Sequence, residues 1–165
     1  MSTPDKIEKQ VVLRAPLAKV WSAITDSKQF GSWFGCALDG PFLAGKPAKG
    51  TIQPTKVDPE VAKMQEPHKG QDFYVEVERI EPMTLFSFRW HPYAVEPGTD
   101  YKSEPMTLVQ FELKEIEPGQ TQLKITESGF DKVPLARRAE AFKSNEGGWT
   151  HQSKLIEKYL YAQSA

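Results

Sequence analysis

The first candidate for chemistry is an acidic residue late in a strand-like segment. In residues 121–128 the apolar Leu123 and Ile125 alternate with polar side chains, and continuing this alternation places Glu127 on the same, inward side. A carboxylate partly removed from water suits general acid or base catalysis. The same carboxylate could instead have a structural role at the end of a sheet, where it would accept hydrogen bonds from backbone N–H groups or from an arginine near the last helix. We predict that Glu127 points inward, and we expect the structural role.

His91 is the second candidate, because imidazole changes its charge near neutral pH and can transfer protons. It follows an aromatic run that ends at Trp90, and Tyr93 and Tyr101 come soon after it. Together these side chains could form the mouth of a site in which the tyrosines orient a substrate. The alternative is that His91 and the proline after it simply end a strand. The sequence leaves both interpretations open.

Metal and cofactor chemistry find no support in the sequence. The three histidines, His68, His91 and His151, lie far apart and give no H-x-x-x-H spacing. The single cysteine, Cys36, cannot by itself form an intramolecular disulfide, a cysteine zinc site or an iron–sulfur cluster. A phosphate-binding loop and a G-x-S-x-G nucleophile motif are also absent from the sequence. We therefore expect no metal and no cofactor.

Large rings recur at positions predicted to face the interior, and polar residues interrupt the apolar face of the last helix. One helix is too narrow to fill the concave side of a large curved sheet, so these side chains are predicted to line a ligand cavity of hundreds of Å³. The partner this implies is a small apolar or aromatic molecule. The predicted ligand-binding residues are Trp33, Phe34, Phe73, Phe86, Phe88, Trp90, Phe111, Trp149, Gln152 and Ser153.

The elements that would position these residues begin with a strand and two short helices. Residues 7–15 alternate as a strand, and Pro16 ends it. Residues 17–25 carry apolar side chains at helical spacing. Residues 28–33 form a second helix that Asp26 or Ser27 can cap.

The rest of the sheet is predicted from shorter patterns. Residues 37–42 and 50–55 are brief strands, and the proline-punctuated stretch 58–70 is a solvated connection or a mobile rim over a site. Four strands with alternating burial follow at residues 72–80, 84–91, 106–117 and 121–128.

Two helical segments are predicted at the C-terminal end. Pro134 can begin a helix that runs to Lys143, and the Gly147-Gly148 pair is expected to break or kink it. Trp149 then opens an amphipathic helix to the end of the chain. The whole sequence is interpreted as one α+β domain over residues 1–165.

Charge and hydropathy exclude several classes of partner. The 165 residues carry 21 Lys and Arg against 22 Asp and Glu, and the net charge of -1 offers no field for nucleic acid. No apolar run is long enough to span a membrane, and the polar start does not resemble a signal peptide. We expect a cytoplasmic protein.

Four short motifs in order carry a resemblance to a known family. They are Ala15-Pro16-x-x-x-Val20-Trp21-x-Ala23-Ile24-Thr25-Asp26, Trp33-Phe34, Glu127-Ser128-Gly129-Phe130 and Gly148-Trp149. Over residues 5–162 the chain resembles the activator of heat-shock-protein-90 ATPase-like domains, within the START and birch-pollen-allergen helix-grip superfamily. The resemblance implies a curved antiparallel sheet of about seven strands wrapped around a long C-terminal helix. It departs at Ser153, where similar sequences usually have a bulky apolar residue.

Three functions follow as expectations, because this fold serves many roles. The first is a small-molecule binding protein with its cavity between the sheet and the C-terminal helix. The second is a cyclase, hydrolase or lyase that uses Glu127 and His91 in the same cavity. The third is a chaperone-associated interaction module, which is not expected because the additional domain of the eukaryotic co-chaperones has no room here. A weak homodimer stays open.

Overall fold

The computed structural model describes residues 6–91, 105–133 and 135–163. The strands are β1 (Lys6–Leu13), β2 (Cys36–Leu38), β3 (Pro47–Ile52), β4 (Asp72–Glu81), β5 (Leu85–Trp90), β6 (Thr107–Glu117) and β7 (Gln120–Ser128). The helices are α1 (Leu17–Thr25), α2 (Ser27–Phe34), α3 (Pro59–Gln65) and α4 (Leu135–Gln163).

Within the described residues the strands form one antiparallel sheet in the order β1-β7-β6-β5-β4-β3-β2. Strands β2 to β7 follow one another as a meander, and β1 closes the far edge by pairing with β7 over its whole length. The sheet curves around the C-terminal helix α4, which is the helix-grip arrangement that the resemblance implied. This confirms the predicted fold class.

The strand alternation sorts side chains onto two faces of the sheet. On β6, residues Thr107, Val109 and Phe111 are buried, while Glu112 on the opposite face is exposed. The buried face packs against α1, α2 and α4, whose buried residues complete a single hydrophobic core. The predicted strands 72–80, 84–91, 106–117 and 121–128 are all present, with ends shifted by one residue or less.

The first two helices also match their sequence patterns. Helix α1 has the predicted bounds, and α2 begins under an Asp26 cap whose carboxylate accepts hydrogen bonds from the backbone N–H groups of Lys28 and Gln29. Helix α2 ends at Gly35, whose φ of 107° is a left-handed conformation that glycine adopts without strain.

Two predictions about helices were wrong. Residues 58–70, predicted as a connection, contain α3 under an Asp58 cap, followed by a 3-10 turn at Glu66–His68. Helix α3 has no buried residue and so shows no apolar periodicity. The predicted break at Gly147-Gly148 is also not found, since α4 runs unbroken from Leu135 to Gln163. Two glycines cost a helix about 2 kcal/mol in propensity, which the packing of its buried residues outweighs.

Candidate functional site

The phase of β7 brings a carboxylate into the interior as predicted. Glu127 is 0% exposed, and its neighbours across the sheet are Ile7 on β1 and Val109 on β6. Leu123 and Ile125 precede it on the same buried face. A carboxylate in such apolar surroundings is stable only if its oxygens are well hydrogen-bonded.

Four side chains from three elements donate hydrogen bonds to this carboxylate. Oε1 accepts from the Trp149 indole (2.8 Å), and Oε2 accepts from the Trp90 indole (2.8 Å) and the Thr107 hydroxyl (2.5 Å). The Asn145 amide donates to both oxygens, at 2.9 and 3.1 Å. We call these five residues the Glu127 centre. It ties β7 to β5, β6 and α4.

The donor set is unusual for a buried acid because every member is neutral. In the described part of the chain, no lysine, arginine or histidine forms an ion pair with Glu127. Indole and amide N–H groups only donate, so they suit an ionised carboxylate better than a protonated one. Five hydrogen bonds also use the acceptor capacity of both oxygens. This geometry fits a positioning role better than proton transfer.

The sequence had indicated the place of Glu127 but not its partners. Backbone N–H groups or an arginine were expected, and side-chain donors take their place. A pattern for two of them was present: Asn145 and Trp149 are four residues apart and so share one face of a helix. Thr107 lies on the inward phase of β6, together with Val109.

A small cleft lies beside the Glu127 centre, between α4, α2 and the end of β5. Its volume is about 70 Å³. It is lined by Phe34, Trp90, Asn145, Gly148, Trp149 and Gln152. Four of these six, Phe34, Trp90, Trp149 and Gln152, belong to the predicted ligand-binding residues.

Three aromatic rings of the cleft are mutual neighbours. The ring centroids of Trp90 and Trp149 are 5.6 Å apart with an interplanar angle of 27°. The Phe34 ring is 6.0 Å from that of Trp90 and 6.2 Å from that of Trp149. Since both indole N–H groups bond to Glu127, the carboxylate fixes the wall of the cleft.

The carboxamide of Gln152 is held in one orientation. Its Nε2 donates to the backbone carbonyl of Phe34 at 3.0 Å, while its Oε1 is buried and has no hydrogen-bond partner among the described residues. The same carbonyl accepts from Gln65 Nε2 at 3.1 Å, and Gln65 Oε1 accepts from the Thr55 N–H. The two glutamines thus join α3 and α4 to the end of α2.

The other predicted rings are packed into the core. Phe86, Phe88 and Phe111 contact one another with centroids 5.8 to 6.1 Å apart, and Phe73 packs on Phe34 at 5.6 Å. Trp33 is fully buried, with its indole donating to the backbone carbonyl of Ala23. None of these five lines the cleft. The cleft is also smaller than the hundreds of Å³ expected of a ligand cavity.

Ser153 does not line the cleft either. It is half-buried, and its hydroxyl donates to the backbone carbonyl of Thr150 within α4. Of the two neighbouring residues predicted to bind the ligand, Gln152 lines the cleft and Ser153 does not.

The second catalytic candidate, His91, is not bonded to Glu127. His91 follows the end of β5, is half-buried and is not among the donors to Glu127. Tyr93 and Tyr101 lie outside the described residues. Among the described residues, no group of three His, Cys, Asp or Glu side chains is placed to hold a metal ion.

Cys36 and Asp58, both away from the cleft, have altered acidity. Burial raises the pKa of the Cys36 thiol to about 12, so it stays neutral and unreactive. The hydrogen bond from Lys158 (2.5 Å), followed by those from backbone N–H groups at the start of α3, lowers the pKa of Asp58. This exposed contact links α3 to α4.

No helix in the described residues is both long and apolar enough to cross a membrane.

Comparison with known proteins places the fold. The sequence model of the family described as "Activator of Hsp90 ATPase homolog 1-like protein" matches residues 14–161. The crystal structure of DynU16, a protein in the dynemicin biosynthetic locus, is similar with a TM-score of 0.66 and 23% identity, covering 96% of this chain and 48% of DynU16. This chain therefore spans about half the length of DynU16.

Two further solved structures are similar over nearly their whole length. Protein MLL2253 from Mesorhizobium loti has a TM-score of 0.68 and 19% identity, with 95% of this chain and 97% of that one covered. A protein from Arthrobacter aurescens has a TM-score of 0.72 and 16% identity, with 95% and 86% covered. At these identities the likeness shows a shared fold. No curated protein sequence matches this chain.

Proposed function

This chain belongs to the family of activator of Hsp90 ATPase homolog 1-like proteins, and on that premise we propose that it binds a small apolar or aromatic molecule through the cleft beside the Glu127 centre. The fold alone does not give a function, because it carries many. The observation that supports binding is the combination of three clustered rings with one buried oxygen, that of Gln152, which has no hydrogen-bond partner in the part of the chain that the structure describes. Ligand sites in proteins have this composition, mostly apolar with a few placed polar groups.

The size of the cleft limits what can enter it. A volume of about 70 Å³ accommodates a group of a few heavy atoms rather than a whole drug-sized molecule. The ligand is therefore either very small or inserts one end between Trp90, Trp149 and Phe34. This differs from the large enclosed cavity expected from the sequence, while keeping its location between sheet and C-terminal helix.

The hydrogen bonds and the burial of Glu127 favour binding over catalysis. Both of its oxygens are already occupied by donors, and the carboxylate is fully buried behind the indoles. A general base needs a free lone pair within reach of the substrate proton. We therefore assign Glu127 the role of holding the cleft walls.

A cytoplasmic location, a weak homodimer and the lack of a nucleic-acid or chaperone partner stay predictions.

Gly148 offers a direct way to test the site. It lies on α4 in the wall of the cleft, and a Cβ added there meets no atom within 4 Å. Gly148→Leu should fill the cleft without straining the backbone. Gly147→Leu is the matched control, because Gly147 has equally open surroundings, neighbours it on the helix and does not line the cleft. Both changes improve helix propensity, by up to about 1 kcal/mol.

The measurement is a titration of the ¹⁵N-labelled protein with 2-phenylethanol. We expect the indole N–H resonances of Trp90 and Trp149 to shift, while that of Trp33, which bonds to a core carbonyl, stays in place. The shifts should vanish in Gly148→Leu and persist in Gly147→Leu. Equal binding by both variants would place any ligand site elsewhere.

A further inference from the structure

A buried carboxylate lies behind the wall of the cleft, Gln152 in that wall has an acceptor oxygen without a hydrogen-bond partner, and none of the described residues that line the cleft is positively charged. We propose that the group it takes is a protonated amine carried on an apolar or aromatic body. This rests on the proposed function, and it names the chemical class of the ligand.

The charge balance is the first argument. Among the described residues, Glu127 accepts hydrogen bonds only from neutral donors, and none of those that line the cleft is cationic. Trp90, Trp149 and Asn145 each touch both the carboxylate and the cleft, so the charge lies one side chain behind the cleft wall. An ammonium group there would be attracted through a medium of low polarity, and a carboxylate or phosphate would be repelled.

The rings supply the second argument. A cation is attracted to the π face of an aromatic ring within about 6 Å, most strongly to tryptophan. Two indoles and a phenyl group lie here with centroids 5.6 to 6.2 Å apart. Because the indole N–H groups of Trp90 and Trp149 are bonded to Glu127, they are not available as donors to an anionic ligand.

Gln152 provides the third argument. Its Nε2 donates to the Phe34 carbonyl, and a rotated amide would instead bring two acceptor oxygens together. Oε1 is therefore the end of the amide that has no hydrogen-bond partner among the described residues. It is buried, and Gln152 lines the cleft. Only a donor can satisfy it, and an ammonium N–H makes a stronger hydrogen bond than a neutral donor does.

Three probes with one body separate the alternatives: phenethylammonium, 2-phenylethanol and 3-phenylpropanoate. Isothermal calorimetry and the indole resonances of Trp90 and Trp149 report binding at pH 7. We expect phenethylammonium to bind at least tenfold more tightly than the alcohol, and the propanoate not to bind measurably. Equal affinity for amine and alcohol would overturn the amine proposal and leave the proposed function intact. If no probe shifts these resonances, both proposals fail.

Two variants test the contribution of Gln152. In Gln152→Leu the preference for amine over alcohol should fall about tenfold, whereas Gln65→Leu, which removes the other donor to the Phe34 carbonyl, should keep it. Unchanged preference in Gln152→Leu would show that this oxygen does not receive the amine.

Discussion

Two parts of the interior are built in different ways. Around Phe42, Phe86, Phe88 and Phe111, rings pack against rings, with centroids 5.0 to 6.1 Å apart. At the other end, two indoles are held by hydrogen bonds to the carboxylate of Glu127. We call these parts the ring cluster and the Glu127 centre.

The difference shows why one end is closed and the other carries a cleft. Apolar contacts have no direction, so side chains in the ring cluster settle wherever they fill space. Hydrogen bonds to a charged acceptor fix distance and angle, and they hold Trp90 and Trp149 in place whether or not their outer faces are covered. A polar network can thus keep a small space open that apolar packing alone would close.

The largest effect is expected where the two parts meet. Trp149 packs on Phe111, with centroids 5.8 Å apart, and also donates to Glu127. Trp149→Ala should lower the free energy of unfolding by about 4 kcal/mol, because a buried ring and a donor to a buried charge are lost together. Urea denaturation measures it. A loss below about 1 kcal/mol would mean that α4 does not depend on this contact.

The second effect isolates the charge. Glu127→Gln keeps the shape but replaces a charged acceptor by an amide whose NH₂ faces other donors. We expect a loss of about 3 kcal/mol in urea denaturation. Glu112→Gln on the exposed face of β6 is the matched control and should change stability by less than about 0.5 kcal/mol. A fully stable Glu127→Gln variant would show that the carboxylate is not the organising group.

The third effect compares a tryptophan hydrogen bond to the Glu127 carboxylate with a tryptophan hydrogen bond to an uncharged backbone carbonyl in the core. Trp149→Phe removes an N–H that donates to a carboxylate, and Trp33→Phe removes one that donates to the backbone carbonyl of Ala23. The expected losses are about 2 and about 1 kcal/mol, since hydrogen bonds to charged groups are the stronger ones. If Trp33→Phe costs as much as Trp149→Phe, the charge of Glu127 contributes nothing special.

The sequence predicted the apolar core better than it predicted the Glu127 centre. Strand alternation and apolar helical spacing are local, so β4 to β7, α1 and the inward side of Glu127 followed from them. The partners of Glu127 lie 18 to 37 residues away in sequence. Alternation tells which side a residue faces, but it does not tell which donor lies opposite.

The remaining errors concern features that local patterns do not encode. Helix α3 buries nothing, so only its cap at Asp58 and the proline after it marked its start. The unbroken course of α4 through Gly147 and Gly148 depends on contacts with the sheet rather than on propensity. Cavity size depends on how rings interlock in three dimensions, which is why a row of aromatic residues predicted more space than the fold leaves.

The smallest effect concerns Cys36, an ionisable group that belongs to the apolar core, as Glu127 does not. Burial raises its pKa to about 12 from an ordinary 9.0. Below pH 9 the thiol is neutral in both the folded and the unfolded chain, and Cys36→Ala should cost only about 1 kcal/mol through lost packing. Between pH 9 and 12 the unfolded chain releases this proton and the folded one keeps it, so stability falls as pH rises. The advantage of the wild type over Cys36→Ala should therefore disappear near pH 10, because one pH unit beyond the unfolded pKa is worth about 1.4 kcal/mol. Urea denaturation of both proteins at pH 7 and pH 10 measures it, and Ellman's reagent should leave the folded thiol unmodified at pH 8. A thiol that reacts in the folded protein as fast as in urea, with a constant difference between the two proteins across this range, would mean that Cys36 is not enclosed by the apolar core and that the contrast with Glu127 does not hold.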